Sequence, residues 1–206
     1  MIGFSIFHRN RIFIAMARSF FILVCLIPAA AGQAHSTADE RTIPVAGDKA
    51  PDFALNALDG TSIKLSSELK RGPVVLIVLR GWPGYQCPYC TRQVGEFITR
   101  AKDIEATGAR LILVYPGPSE MLKEHAEEFR GNKDIPKAIK LVIDPDYNFT
   151  NAYHLRWDAK GETAYPSTFI IDKNSTVRFA LVSKAHGGRS KADDVIAVLT
   201  KLKEGK

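Results

Sequence analysis

Six consecutive apolar residues, Val74-Val75-Leu76-Ile77-Val78-Leu79, lead toward Cys87-Pro88-Tyr89-Cys90. An unbroken apolar run of this length is what a strand buried on both faces shows. After the two cysteines the pattern changes period: Val94, Phe97, Ile98, Ala101 and Ile104 recur as one face of a helix. The thiols therefore stand where a buried strand passes into a helix N-terminus. Free N–H groups and the positive end of the helix dipole favour an anion there, and the thiolate is the reactive form of cysteine. The pattern predicts a redox site within an α/β fold.

The rest of the chain reads as one domain. Residues 50–55 and 61–65 read as short strands joined by a turn at Asp59-Gly60, and Ser66–Leu69 as a single capped turn. A helix from about Pro88 to Thr107 is stopped by Gly108, and a second apolar strand follows over 110–115, parallel to the first. Ser119 is placed to cap a helix to about Phe129, with Met121 or Leu122, His125, Ala126 and Phe129 inward. A strand over 140–143, a short helix through Tyr153 and a hairpin of 165–172 with 176–182 come next. Ser190 and Asp193 are spaced as a capping box for a last helix that buries Val195, Ile196, Leu199 and Leu202.

The first 34 residues differ in kind. His8, Arg9, Arg11 and Arg18 precede an apolar core over 20–27, and Pro28 and a small-residue run follow it. This is the layout of a secretory signal peptide, cleaved after Ala31 or Ala34; an uncleaved anchor is the alternative, although the core is short of the ~20 residues a span needs. The expected organisation is thus a signal peptide over 1–34, a linker over 35–45 and one domain over 46–206. The product would be periplasmic or otherwise extracytoplasmic, with no stable membrane insertion. No acidic residue precedes Asp39, so losing Arg9, Arg11 and Arg18 lowers the formal net charge from +6 to +3. That is too mild to indicate nucleic acid. Cys25 leaves with the leader, and Cys87 and Cys90 remain as a pair that an oxidising compartment can join. As a mere staple so short a loop adds little, well under the ~3 kcal/mol of a 15-residue loop.

Element order, the CPYC turn and Tyr165-Pro166-Ser167-Thr168-Phe169-Ile170-Ile171-Asp172 resemble the thioredoxin-like fold, a central mixed sheet flanked by helices. The opening Gly47-Asp48-Lys49-Ala50-Pro51-Asp52-Phe53 and the N-terminal β-hairpin after it resemble the redoxin branch, the alkyl hydroperoxide reductase / thiol-specific antioxidant proteins or peroxiredoxins. The resemblance implies a thiol-dependent oxidoreductase without an organic cofactor, whose partners are protein thiols and disulfides or a small hydroperoxide. Pro83 to Cys90 keeps the peroxiredoxin spacing Pro-x-x-x-Thr/Ser-x-x-Cys, which puts Cys90 in the peroxidatic place and Cys87 in the Thr/Ser place. The arginine that peroxiredoxins carry three residues before the Phe of Phe-Ile-Ile-Asp is replaced by Pro166, leaving Arg80 or Arg156 to supply a cation. In the thioredoxin-type alternative Cys87 attacks, as the sulfur more exposed and closer to the dipole. Pro166 is then cis and its backbone pairs with a substrate strand, while Tyr165 and Trp82 shape the substrate surface. Gln93 reads as a helix-surface residue, and no carboxylate is expected beneath the site. A non-enzymatic alternative is a copper-delivery protein in which His186 joins the two thiols.

Overall fold

In the computed structural model residues 42–205 are described; the expected signal peptide and most of the expected linker lie outside them. Ile43 and Pro44, in the stretch read as linker, already pack inward, Ile43 against one of the two core clusters.

Seven strands form one mixed sheet. In chain order they are β1 Ala54–Ala57, β2 Ser62–Lys64, β3 Val74–Val78, β4 Arg110–Gly117, β5 Ile139–Pro145, β6 Ser167–Ile171 and β7 Val177–Val182, and in space they run β2-β1-β5-β4-β3-β6-β7. β3, β4 and β5 are mutually parallel, as the crossover reading requires, while β6 runs antiparallel to β3 and β7 antiparallel to β6. β3 is central, and every residue from Val74 to Leu79 is fully buried. Its alternate side chains enter different clusters. Val75, Ile77 and Leu79 pack with α2 (Pro88–Thr99), α3 (Ala101–Ala106), α4 (Leu122–Arg130) and α6 (Ala192–Lys203); Val74, Leu76 and Val78 pack with α1 (Leu65–Leu69) and α5 (Asn148–Ala152). An apolar run without alternation is therefore what a strand covered on both faces needs.

Local chemistry moves several boundaries. The first strand starts at Ala54 rather than Ala50, because Ala50 N–H bonds Ser175 O and Lys49 bridges Thr176 at the β7 end. The long helix expected over 88–107 is two helices, broken at Arg100. The Thr99 hydroxyl bonds back to Gly95 O (3.0 Å), a contact that bends helices, and the Arg100 guanidinium is tied to Asp103 (2.6 Å) and to Asp193 of α6. α4 starts at Leu122 with no side-chain cap from Ser119; Leu122 is inward and Met121 exposed.

The Ser190–Asp193 capping box does not form. The Ser190 hydroxyl is spent on Thr168 (2.7 Å), and the Ala192 N–H of α6 donates instead to the Glu96 carboxylate of α2 at 2.7 Å. A carboxylate at a helix N-terminus satisfies an orphan donor and the dipole together. It also fastens the last helix to the helix that carries the cysteines.

Candidate active site

β3 ends at Val78, and the chain turns through Arg80 and Gly81 before the cysteines. Gly81 has φ +72°, and a Cβ there would lie 1.8 Å from Pro116 O, so only glycine lets this loop pass the end of β4. Cys87 is the N-cap of α2, Pro88 occupies the first turn where no N–H is missed, and Cys90 follows one turn in. Both thiols are free.

The expected difference in exposure is absent, for Cys87 is 2% and Cys90 1% exposed. What separates them is electrostatics. The Cys87 thiol is pulled down to about 5, first by the hydrogen bond from the Cys90 thiol; burial opposes this. The Arg189 guanidinium, with Nη2 3.7 Å from Cys87 Sγ, lowers it further. No capping hydrogen bond closes from the sulfur to the helix, and the N–H dipoles of Cys90 and Tyr89 act at longer range. Cys90 is pushed well above the ordinary thiol value, first by burial and then by serving as donor to Cys87. Its sulfur also accepts the Arg80 N–H at 3.3 Å.

Arg189, which sequence reasoning passed over, is the cation at the thiolate. It is held on three sides: Nε donates to His186 O (2.8 Å), Nη1 to Gln93 Oε1 (3.1 Å) and Nη2 to Cys87. Gln93 is not a surface residue. It is buried, and its amide N–H donates to the Ser190 hydroxyl and carbonyl at 3.3 and 3.4 Å. A polar residue three after Cys90 and next to Val94, on the buried face, was the available signal.

Neither cation expected from the sequence serves. The Arg80 side chain turns away to Glu162 Oε2, Tyr85 Oη and Gly161 O, each at 2.6 Å. Arg156 Nη1 donates to the Trp157 and Thr163 carbonyls, and Nη2 lies 3.9 Å from Asp158. One carboxylate, that of Glu162, joins the polar network around the site without touching either sulfur. Glu162 Oε1 also meets His186 Nε2 at 2.9 Å. Burial works against its ionisation, but the hydrogen bonds from Arg80 and His186 outweigh that and hold it below the ordinary value. It is thus an anion at neutral pH rather than a proton donor. With His186 Nε2 spent on Glu162, the third ligand of the copper reading is engaged elsewhere. Among the described residues no group of three or more His, Cys, Asp or Glu is placed to hold a metal ion.

The three residues expected at the substrate surface sit in two settings. The Trp82 ring stacks on His125 of α4 at 3.7 Å. Tyr165 stacks on Trp157 (5.0 Å), with Lys184 Nζ 4.1 Å from its ring. The backbone around Pro166 is already engaged. Tyr165 N–H bonds Leu155 O (2.8 Å), Tyr165 O accepts the Ser167 hydroxyl (2.8 Å), and Pro166 O accepts the Ser183 N–H (2.9 Å). Tyr85 and Tyr89 are the exposed aromatics beside the cysteines.

A family model described as the AhpC/TSA family matches residues 46–180. The chain belongs to the AhpC/TSA family. A peroxiredoxin 2 of Thermoplasma acidophilum is 33% identical over 160 residues, which cover 76% of this chain and 75% of that protein. A thiol-disulfide oxidoreductase ResA of Geobacillus thermodenitrificans is 29% identical over 140 residues, covering 68% and 70%. The crystal structure of peroxidoxin BcpB from Mycobacterium tuberculosis matches with a TM-score of 0.60 at 25% identity, over 77% of this chain and 98% of that one. As an AhpC/TSA member the protein has the α/β thioredoxin-like fold and is a thiol-dependent oxidoreductase.

Proposed function

We propose that this protein is an exported dithiol oxidoreductase in which Cys87 attacks and Cys90 resolves. The observation that carries the reading is the Arg189 guanidinium set 3.7 Å from Cys87 Sγ and not against Cys90, with which the opposite displacement of the two thiols agrees. Cys87 is lowered to about 5 beside Arg189, while Cys90 is kept protonated as its hydrogen-bond donor. An ionised sulfur is the nucleophile in thiol–disulfide exchange. The Cys87 thiolate attacks one sulfur of a protein disulfide, forming a mixed disulfide and expelling the other sulfur as thiolate. Cys90 then gives up its proton to solvent and attacks Cys87 Sγ. The Cys87–Cys90 disulfide forms and the second substrate thiolate leaves, so two electrons have passed to the substrate.

Peroxide is the second substrate class, favoured by the Pro83-to-Cys90 spacing and by relatives named peroxiredoxin. The electrostatics reverse the roles that the spacing suggests. Cys87 takes the terminal peroxide oxygen to become a sulfenic acid, a proton goes to the departing alkoxide or hydroxide, and Cys90 condenses with loss of water. The exposed rings of Tyr85 and Tyr89, on either side of Cys87 in the chain, offer apolar area to a substrate. Export rests on the charged, apolar, small-residue order of the first 34 residues.

Trapping tests the assignment. Cys90→Ser should accumulate a mixed disulfide or a Cys87 sulfenic acid after exposure to disulfide-bearing protein or to hydroperoxide, and Cys87→Ser should accumulate neither. The reverse pattern would overturn the roles. Mass spectrometry of protein recovered from the extracytoplasmic fraction should find the N-terminus at residue 32 or 35, and retention of the full leader in the cytoplasm would refute export.

A further inference from the structure

The two sulfurs have different partners, yet both partners trace to one side chain. Cys90 Sγ accepts the Arg80 N–H at 3.3 Å, and the Arg80 guanidinium is gripped by Glu162 Oε2 at 2.6 Å. Cys87 Sγ meets Arg189 at 3.7 Å, Arg189 Nε is held by His186 O at 2.8 Å, and the His186 ring is gripped by Glu162 Oε1 at 2.9 Å. The two oxygens of one carboxylate thus hold the strand-exit loop on one side and the 186–189 turn on the other. Glu162 reaches this position from the 157–165 segment, which Arg156 closes on itself through the Trp157, Glu162 and Thr163 carbonyls. The Arg80 side chain is only 3% exposed and that of Glu162 12%. This ion pair is shielded from solvent, where losing one partner is costly.

We propose that Glu162 is a positioning residue for the dithiol, a clamp that fixes Arg189 against Cys87 by holding His186 and fixes the Arg80 N–H against Cys90 by holding the guanidinium. Glu162 touches neither sulfur and transfers no proton; it acts through the two arginines. The proposal rests on the reading of Cys87 as the ionised sulfur.

Charge alone and clamping make opposite forecasts, which gives a clean test. If Glu162 were only a nearby negative charge, removing it would stabilise a thiolate and lower the Cys87 titration midpoint. If it is a clamp, removing it frees the 186–189 turn, withdraws Arg189 and raises the midpoint. Thiolate absorbance at 240 nm is followed against pH in the reduced full-length protein. Glu162→Ala should raise the midpoint by about one unit, the low end of what an opposite charge 4–6 Å away confers. Glu162→Gln keeps the side-chain length, accepts from Arg80 and can meet His186 in its other tautomer, so it should stay within about 0.3 units of wild type. In an Arg189→Ala background, Glu162→Ala should have a smaller effect, because the arm through His186 reaches Cys87 by way of Arg189 and only the Arg80–Cys90 arm is left.

Thermal melts accompany each variant, and a loss of melting temperature with an unmoved midpoint would overturn the proposal by making Glu162 merely structural. So would a downward shift in Glu162→Ala, or an undiminished effect in the Arg189→Ala background. Cys87→Ser separates this from the reading beneath it. If the low-pH transition survives that substitution, the assignment of the nucleophile fails and takes the clamp with it. If the transition vanishes in Cys87→Ser but falls in Glu162→Ala, only the clamp fails.

Discussion

Removing the Cys90 thiol isolates the strongest influence on Cys87. Lowered to about 5, Cys87 is mostly ionised at pH 7, where a free thiol is only a few per cent thiolate. The leading cause is the hydrogen bond from Cys90, and hydrogen bonds to charged groups contribute about 1.5–3 kcal/mol. At 1.36 kcal/mol per unit this is about 1–2 units. Cys90→Ala should therefore move the midpoint up to about 6–7. It should remain below the free value because Arg189 and the helix start are untouched. Cys90→Ser keeps a shorter donor and should fall between Cys90→Ala and wild type. The assay is absorbance at 240 nm of the reduced protein, cross-checked by the pH dependence of iodoacetamide labelling at Cys87. An unmoved midpoint in Cys90→Ala would refute the reasoning, since the donor would then contribute nothing. Survival of the low-pH transition in the Cys87→Ser protein would refute it from the other side.

Folding stability of the reduced protein should depend on pH through the same thiol. The folded value of about 5 lies below the ordinary thiol value of about 8.5, so between those limits the unfolded chain binds the extra proton and stability rises with pH, by up to about 1.4 kcal/mol per unit. The contribution is lost as pH falls through 5; urea titrations of reduced wild type and Cys87→Ser should diverge across that window and converge below it. Asp144→Ala should cost about 1–3 kcal/mol in the same assay, because the buried carboxylate accepts the Phe149 N–H, the Thr150 N–H and the Thr150 hydroxyl at the start of α5. Gly81→Ala should lower melting temperature and slow Cys87 labelling together, since relieving a 1.8 Å approach to Pro116 O displaces the loop that carries the Arg80 N–H to Cys90. Labelling at the wild-type rate would detach that loop from the site.

Periodicity made the sheet readable. β3 has no polar residue to place, so a strand covered on both faces was the one use for it, and the dithiol's position at the end of that strand followed. Helix caps were less readable, because a cap needs only one acceptor and the chain can supply it from afar. Ser190 and Asp193 have the spacing of a capping box, yet Glu96, ninety-six residues before Ala192, does the capping. The same remoteness hid the polar shell of the site. Arg189 lies 102 residues from Cys87 and Glu162 82 from Arg80, and nothing local in either stretch marks them. Arg80 was a candidate for the missing family arginine, but its guanidinium is taken by Glu162, Tyr85 and Gly161 and its main chain is what reaches Cys90.

The fastening of α6 to α2 through Glu96 and Ala192 has a consequence for the first cysteine. The shared family pattern stops at residue 180, while Arg189, Ser190 and the helix that follows lie past that point. Arg189 therefore reaches the first cysteine from the C-terminal stretch that α6 holds against the cysteine helix, through Glu96 and through the Arg100–Asp193 pair. A chain cut after β7 would retain every strand and both sulfurs, yet lose the cation that lies against the first of them.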